Sequence, residues 1–182
     1  MTREDETKIL LDADVIRHFI EGEKESKLTK IYPDRLLILN FVQVEIECID
    51  RFRPRLNQLI KDELIEVIEF PEDYSKTDEL EIMKEYARLK ETKGSGESAC
   101  LSYARFRKNV VASSNLSDVE EYCKTHGIKL ITTLDILVEA IKLKVMSEDE
   151  CDTFIAKVKD KRCKLPCDTI QEYLKNFSDR KN

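Results

Sequence analysis

The stretch Lys8-Ile9-Leu10-Leu11-Asp12-Ala13-Asp14-Val15-Ile16 decides how this sequence is read. Ile9 to Leu11 is a compact apolar run with polar residues on both sides, which reads as a short buried strand over residues 8–11. Asp12 follows at once. From Asp14 onward, Val15, Ile16, Phe19 and Ile20 fall at helical spacing. The chain therefore passes from strand to helix through two aspartates. In an open parallel sheet, ligands bind beyond the carboxyl ends of the strands. Asp12 and Asp14 stand where such a sheet does its chemistry.

The same alternation continues outward. Leu36–Leu39 is a second apolar run, followed by Val42, Ile46 and Ile49 at helical spacing. Leu56, Leu59 and Ile60 extend another helix after Pro54. Leu64–Phe70 reads as a third strand, stopped by Pro71. Lys76 to Thr92 forms a charged amphipathic helix with Leu80, Met83, Ala87 and Leu89 on its apolar side. Gly94-Ser95-Gly96 is the one glycine-rich break, and a helix restarts near Glu97. Val110–Ala112 is a strand, Val119–Lys124 a helix and Ile128–Ile131 a strand. From Leu134 the chain is helical, with a break at Pro166. Short apolar strands alternating with helices predict a three-layer α/β/α sandwich around a central parallel sheet. The expected organisation is one domain over residues 1–146, with a more polar helical C-terminal extension, 147–182, packed on it. No internal repeat, low-complexity tract or linker interrupts this.

Composition agrees with that class. A chain of 182 residues suits one domain. Charged residues make up 37%, well above the usual roughly 25%, with only 4 Gly and 4 Pro. Since 41% is hydrophobic, the chain reads as helix-rich and globular rather than disordered. The net charge of −6 excludes coating nucleic acid by bulk charge, so contact with a polyanion needs a local basic patch or metal ions. No apolar run approaches the roughly 18 residues that span a membrane. The first residues, mostly charged, do not read as a secretory leader. The expectation is a cytoplasmic protein without membrane contact. Six cysteines are scattered, and only Cys163 and Cys167 lie close together. With no second ligand pair, and His18 and His126 in unrelated segments, free thiols are expected rather than zinc.

The acids at the strand ends form a constellation. Asp12 and Asp14 follow the first strand, Glu45 rides the helix after the second, and Glu97 opens the helix after the glycine break. The fourth strand runs into Ser113, Ser114, Asn115 and, a turn later, Asp118. Each has a local explanation. Asp12 suits a helix N-cap, Glu97 suits a first-turn acid, and Asn115 with Asp118 resembles a capping box. Glu45, between Val44 and Ile46, reads as a mostly buried carboxylate in need of a partner. Together, carboxylates gathered at one rim repel one another unless cations neutralise them. Hard oxygen ligands of this kind suit Mg²⁺ or Mn²⁺ and phosphodiester chemistry.

At this point the residues resemble PIN domains. Leu10 to Ile16 looks like their opening motif, an apolar strand running into an aspartate. Val42-Gln43-Val44-Glu45-Ile46 looks like their second acidic motif. Gly94-Ser95-Gly96-Glu97, continuing to Ala104, is similar to the glycine–glutamate helix start of a prokaryotic toxin-like subgroup. Val111-Ala112-Ser113-Ser114-Asn115 falls where the family places its fourth strand and last acid, and residues 126–137 also resemble that subgroup. Order and spacing carry the resemblance, over roughly residues 8–146. It implies a Mg²⁺- or Mn²⁺-dependent endoribonuclease acting on single-stranded RNA. Asp12, Glu45, Glu97 and Asp118 would be catalytic, and Asp12, Asp14, Glu45, Glu97, Asn115 and Asp118 would hold metal. The partners it implies are an RNA substrate, an antitoxin protein and a second copy of the chain. One departure stands out: the family's last acid falls at Asn115, an amide without charge, for which Asp118 could compensate.

Two alternatives stay open. One is a PIN-like scaffold that binds RNA or a partner without cleaving. The other is a haloacid-dehalogenase-type phosphatase, suggested by Asp12-Ala13-Asp14-Val15 after a strand, although no later apolar strand ends in paired aspartates. For substrate grip, Arg51-Phe52-Arg53-Pro54-Arg55 is the densest basic cluster, with Phe52 as a base-stacking candidate. Arg105, Arg107 and Lys108 form a second cluster. The plain alternative for both is a solvated helix face.

Overall fold

Ile9–Leu11 forms strand β1 and is buried at every position in the computed structural model, which describes residues 7–177. Asp12 ends the strand with extended backbone, and its carboxylate accepts a hydrogen bond from the Ala13 N–H to start helix α1 (Ala13–Glu21). Helix α2 (Glu25–Ile31) and strand β2 (Leu36–Leu39) follow. Next come helices α3 (Asn40–Glu47) and α4 (Arg53–Lys61), the latter with Pro54 in its first turn, then strand β3 (Glu66–Ile68). Helices α5 (Thr77–Leu89) and α6 (Ser95–Arg107) lead to strand β4 (Val110–Ala112). Helix α7 (Leu116–His126), strand β5 (Leu130–Ile131) and helices α8 (Thr133–Lys142), α9 (Glu148–Asp160) and α10 (Ile170–Phe177) complete the described chain. Capping boxes, Thr132 with Asp135 and Ser147 with Glu150, start α8 and α9.

The five strands form one all-parallel sheet in the order β3-β2-β1-β4-β5. The central strands β1, β2 and β4 are buried throughout, so helices must cover both faces of the sheet. This α/β architecture, with ten helices among the described residues, is compatible with a three-layer sandwich. The chain winds outward from β1 to β3, then returns to lay β4 against the other side of β1. That reversal makes a crevice beyond the carboxyl ends of β1 and β4.

Several elements differ from the sequence reading, among them helix α7, which runs over Leu116–His126 rather than the expected 119–124. Helix α2 was not expected, because only Leu28 and Ile31 of its seven residues are buried apolar side chains. The third strand shrinks from the expected 64–70 to Glu66–Ile68, and the fifth from 128–131 to two residues. Both are edge strands with one neighbour each, so the ladder ends where that neighbour does. The C-terminal helices share the main core. Phe154, Ile155 and Val158 of α9 are fully buried, and the Phe154 ring packs on Phe19 of α1 at 5.0 Å between centroids. Among the described residues, no helix is long and apolar enough to cross a membrane.

Candidate active site

Strand register brings the first group together. Leu11 pairs with Ala112, so Asp12 and Ser113 leave the sheet side by side. The Asp12 N–H donates to the Ala112 carbonyl at 2.9 Å. The Ser113 hydroxyl donates to Asp12 Oδ2 at 3.1 Å and also lies 3.5 Å from Asp14 Oδ2. The Ser114 N–H donates to that same Asp14 oxygen at 2.7 Å. Asp14 Oδ1, by contrast, is buried with no hydrogen-bond partner among the described residues. Two carboxylates thus share one hydroxyl in a site where Asp12 is only 8% exposed. Burial, with the Asp14 charge beside it, pushes the Asp12 carboxyl up to about 7. Burial likewise raises Asp14 to about 6, against the pull of the Ser114 N–H.

The second group sits on α6 and α3. Glu97 lies in the first turn of α6, and its Oε2 accepts from the Asn115 side-chain amide at 3.0 Å. Its Oε1 lies 3.5 Å from the Lys93 ammonium. The Glu45 carboxylate lies over Gly96, where a Cβ would come within 2.8 Å of its Oε2. Arg17 of α1 holds the other Glu45 oxygen at 2.8 Å. The expected burial of Glu45 is corrected: its side chain is 44% exposed. Val42 and Ile46 supply the inner face of α3, while Val44 is itself 60% exposed, so an apolar neighbour did not report burial.

One buried atom links the groups. The Cys100 thiol, on α6, is raised by its burial and then by the charges of Asp12, Asp14, Glu45 and Glu97 together. These carboxylates come from the end of β1 (Asp12), the first turns of α1 and α6 (Asp14 and Glu97) and the last turn of α3 (Glu45). Among the described residues, no three His, Cys, Asp or Glu side chains stand in ready metal-holding geometry. Glu45 and Glu97 are turned to Arg17 and Lys93 instead. Asn115 occupies the N-cap position of α7. Asp118 falls in the same helix, but its side chain lies outside the described residues.

Arg17 and Lys93 are the participants that sequence reasoning missed. Lys93 precedes α6 and Arg17 meets Glu45 across two helices, so neither pair followed a helical spacing that sequence could show.

The candidate substrate-binding residues are engaged elsewhere. Phe52 is 2% exposed and belongs to the core, which removes its ring from base stacking. Arg51 lies over that ring at 4.7 Å and pairs with Glu21. Arg53 pairs with Asp50 and donates to the Glu47 carbonyl, and Arg55 pairs with Glu25. In the second basic cluster, Arg107 pairs with Asp78. Arg105 joins Arg88 and the Tyr122 hydroxyl on Glu85, whose carboxyl the Arg88 guanidinium holds down at about 2. These arginines fasten helices to one another.

Comparison with known proteins adds no relative: no protein-family model matches the chain, and no curated protein is similar to it.

Proposed function

We propose that the chain is a PIN-like, divalent-metal-dependent ribonuclease that hydrolyses phosphodiester bonds of single-stranded RNA. The observation that carries this reading is the geometry at the β1–β4 crevice: Asp12 and Asp14 meet at the Ser113 hydroxyl, Asn115 two residues on holds Glu97, and Glu45 lies against Gly96, the neighbour of Glu97. Such a cluster is costly without a cation, as the raised carboxyls of Asp12 and Asp14 record. The donors fit Mg²⁺ or Mn²⁺: all are hard oxygens, and Asp14 Oδ1 is buried without a partner. Asp12, Asp14, Glu45 and Glu97 would hold the metal, with Asn115 or Asp118 beside them. When bound, the metal would polarise the phosphate and ease deprotonation of water. The chain's own part is to fix the ligands. Ser113 orients Asp12, the Ser114 N–H orients Asp14, and the Asn115 amide orients Glu97. Arg17 pairs with Glu45 and Lys93 with Glu97, and both cations would balance these acids beside a bound metal.

The test is a labelled RNA pool incubated with Mg²⁺ or Mn²⁺. Cleavage should vanish with EDTA and in Asp12→Asn or Glu97→Gln. Cleavage that survives both would sink the reading.

A second reading is favoured by Asn115. An amide stands where the resemblance expects an acid, and it donates to Glu97 rather than adding charge. On that reading the chain binds RNA or a partner without cutting it. Asn115→Asp separates the two: a scaffold with a weakened site gains cleavage, whereas a working nuclease gains little or loses the Glu97 contact.

A further inference from the structure

Beside the acidic crevice lies a cavity of about 720 Å³, within the roughly 300–1,000 Å³ usual for small-molecule sites. Ser114 and Asn115 line it. The residues that hold Asp14 and Glu97 therefore also form a wall of this cavity. Its remaining walls come from α7, from β5 and the turn after it, and from the C-terminal segment. Leu116, Leu130, Leu165 and Pro166 make the apolar part. The half-buried Tyr173 ring adds an aromatic face, and its orientation is set: the hydroxyl donates to Asp135 Oδ1 at 2.9 Å. A ring fixed in this way is a ready stacking platform for a base.

The charges point the same way. Lys124 and Lys164 both line the cavity and are exposed. Neither is ion-paired among the described residues, whereas Arg17, Arg51, Arg55, Lys93 and Arg105 all are. In a chain of net charge −6, these two lysines give the cavity wall a local positive charge that a phosphate can meet. Of the acids lining the cavity, Asp135 is occupied by Tyr173 and Thr132. Glu120, also on the wall, is exposed.

We propose that this cavity is a nucleotide subsite, taking the base of the RNA nucleotide next to the cleaved bond against Tyr173, with Lys124 and Lys164 on its phosphate. The inference rests on the ribonuclease reading. It also gives the C-terminal segment a task, since Lys164, Leu165, Pro166 and Tyr173 all lie beyond residue 147.

The experiment titrates each ribonucleoside 5′-monophosphate into the full chain in EDTA, so that neither metal nor cleavage enters. At least one should bind saturably. Its affinity should fall at least about tenfold in Lys124→Glu/Lys164→Glu, the loss expected when charged phosphate contacts are removed. Binding should be unchanged in Arg53→Gln, whose residue does not line the cavity. With Mn²⁺ and RNA, the double variant should raise KM about tenfold and leave kcat within about twofold. Absence of nucleotide binding, or equal binding by wild type and double variant, overturns the subsite. Normal KM in the double variant overturns it too, and leaves the nuclease standing. Lysine-dependent nucleotide binding by a chain that never cleaves RNA upholds the subsite and moves it onto a non-cleaving scaffold.

Discussion

Asp12 serves as a helix cap and as a buried acid, and the two roles respond differently to substitution. Its Oδ1 accepts from the Ala13 N–H at 2.8 Å. Asparagine can keep that bond, since Asn and Asp are comparable N-caps. The charge, however, is lost. The Asp12 carboxyl titrates at about 7 in the folded protein against an ordinary 3.8. Between those values the folded state holds more protons than the unfolded chain, so stability falls as pH rises from about 4 to 7. Asp12→Asn removes that slope. In EDTA, the variant should melt at least about 5 °C above wild type at pH 8, and within about 2 °C of it at pH 4.5. Thermal melts across the pH range check this. A variant less stable than wild type at pH 8 would show that the carboxylate is well solvated or already paired.

Close approach between elements is set by two glycines. Gly96 of α6 faces Glu45 of α3, and a Cβ there would stand 2.8 Å from Glu45 Oε2. The obstacle is the end of a flexible side chain, and alanine favours helix by roughly 1 kcal/mol. Gly96→Ala should therefore keep its melting temperature within about 2 °C while calorimetry shows weaker Mn²⁺ binding, because Glu45 is pushed aside. Gly22, which ends α1, meets a rigid neighbour instead: a Cβ would overlap the Phe154 ring of α9. Gly22→Ala should cost about 1–3 kcal/mol, read by chemical denaturation. Phe154→Leu in the same background should recover part of the loss. Neither contact was legible in the sequence, since each joins elements that are distant along the chain. The elements themselves were legible where burial is complete. Leu36–Leu39 and Val110–Ala112 are uninterrupted apolar runs and stand as strands with the expected bounds, and the first strand, expected over 8–11, is Ile9–Leu11. Legibility failed at the sheet edges and at α2, where few side chains face inward and pattern carries little signal.

At the scale of the whole molecule, sheet order makes the site. Asp12 and Ser113 are 101 residues apart in sequence and hydrogen-bonded because β4 returns to lie beside β1. The strand-end rule singled out Asp12, Asp14 and Asn115 from strand positions alone, and the glycine break before α6 singled out Glu97. It could not find Arg17 or Lys93, whose roles depend on side chains meeting across helices. Those two ion pairs and the raised Asp12 and Asp14 carboxyls describe acids whose burial and gathering carry a cost. A ligand that binds only the folded state returns that cost as stability, by RT ln(1 + [L]/Kd). Mn²⁺ at about 100 times its Kd should thus add about 2.7 kcal/mol, or roughly 5–10 °C in melting temperature for a chain of this size. Protons compete for the same oxygens. Asp12 and Asp14 are charged above about pH 7 and neutral well below 6, so the gain should be full at pH 8 and largely gone at pH 5. Asp12→Asn and Glu97→Gln should each lose most of it at pH 8, whereas Arg53→Gln, remote in function though exposed and ion-paired, should keep it. Differential scanning fluorimetry with Mn²⁺ at both pH values decides the matter. A gain of equal size at pH 5 and pH 8, or one that Asp12→Asn retains in full, would place the metal elsewhere and remove the physical basis for hydrolysis at this crevice.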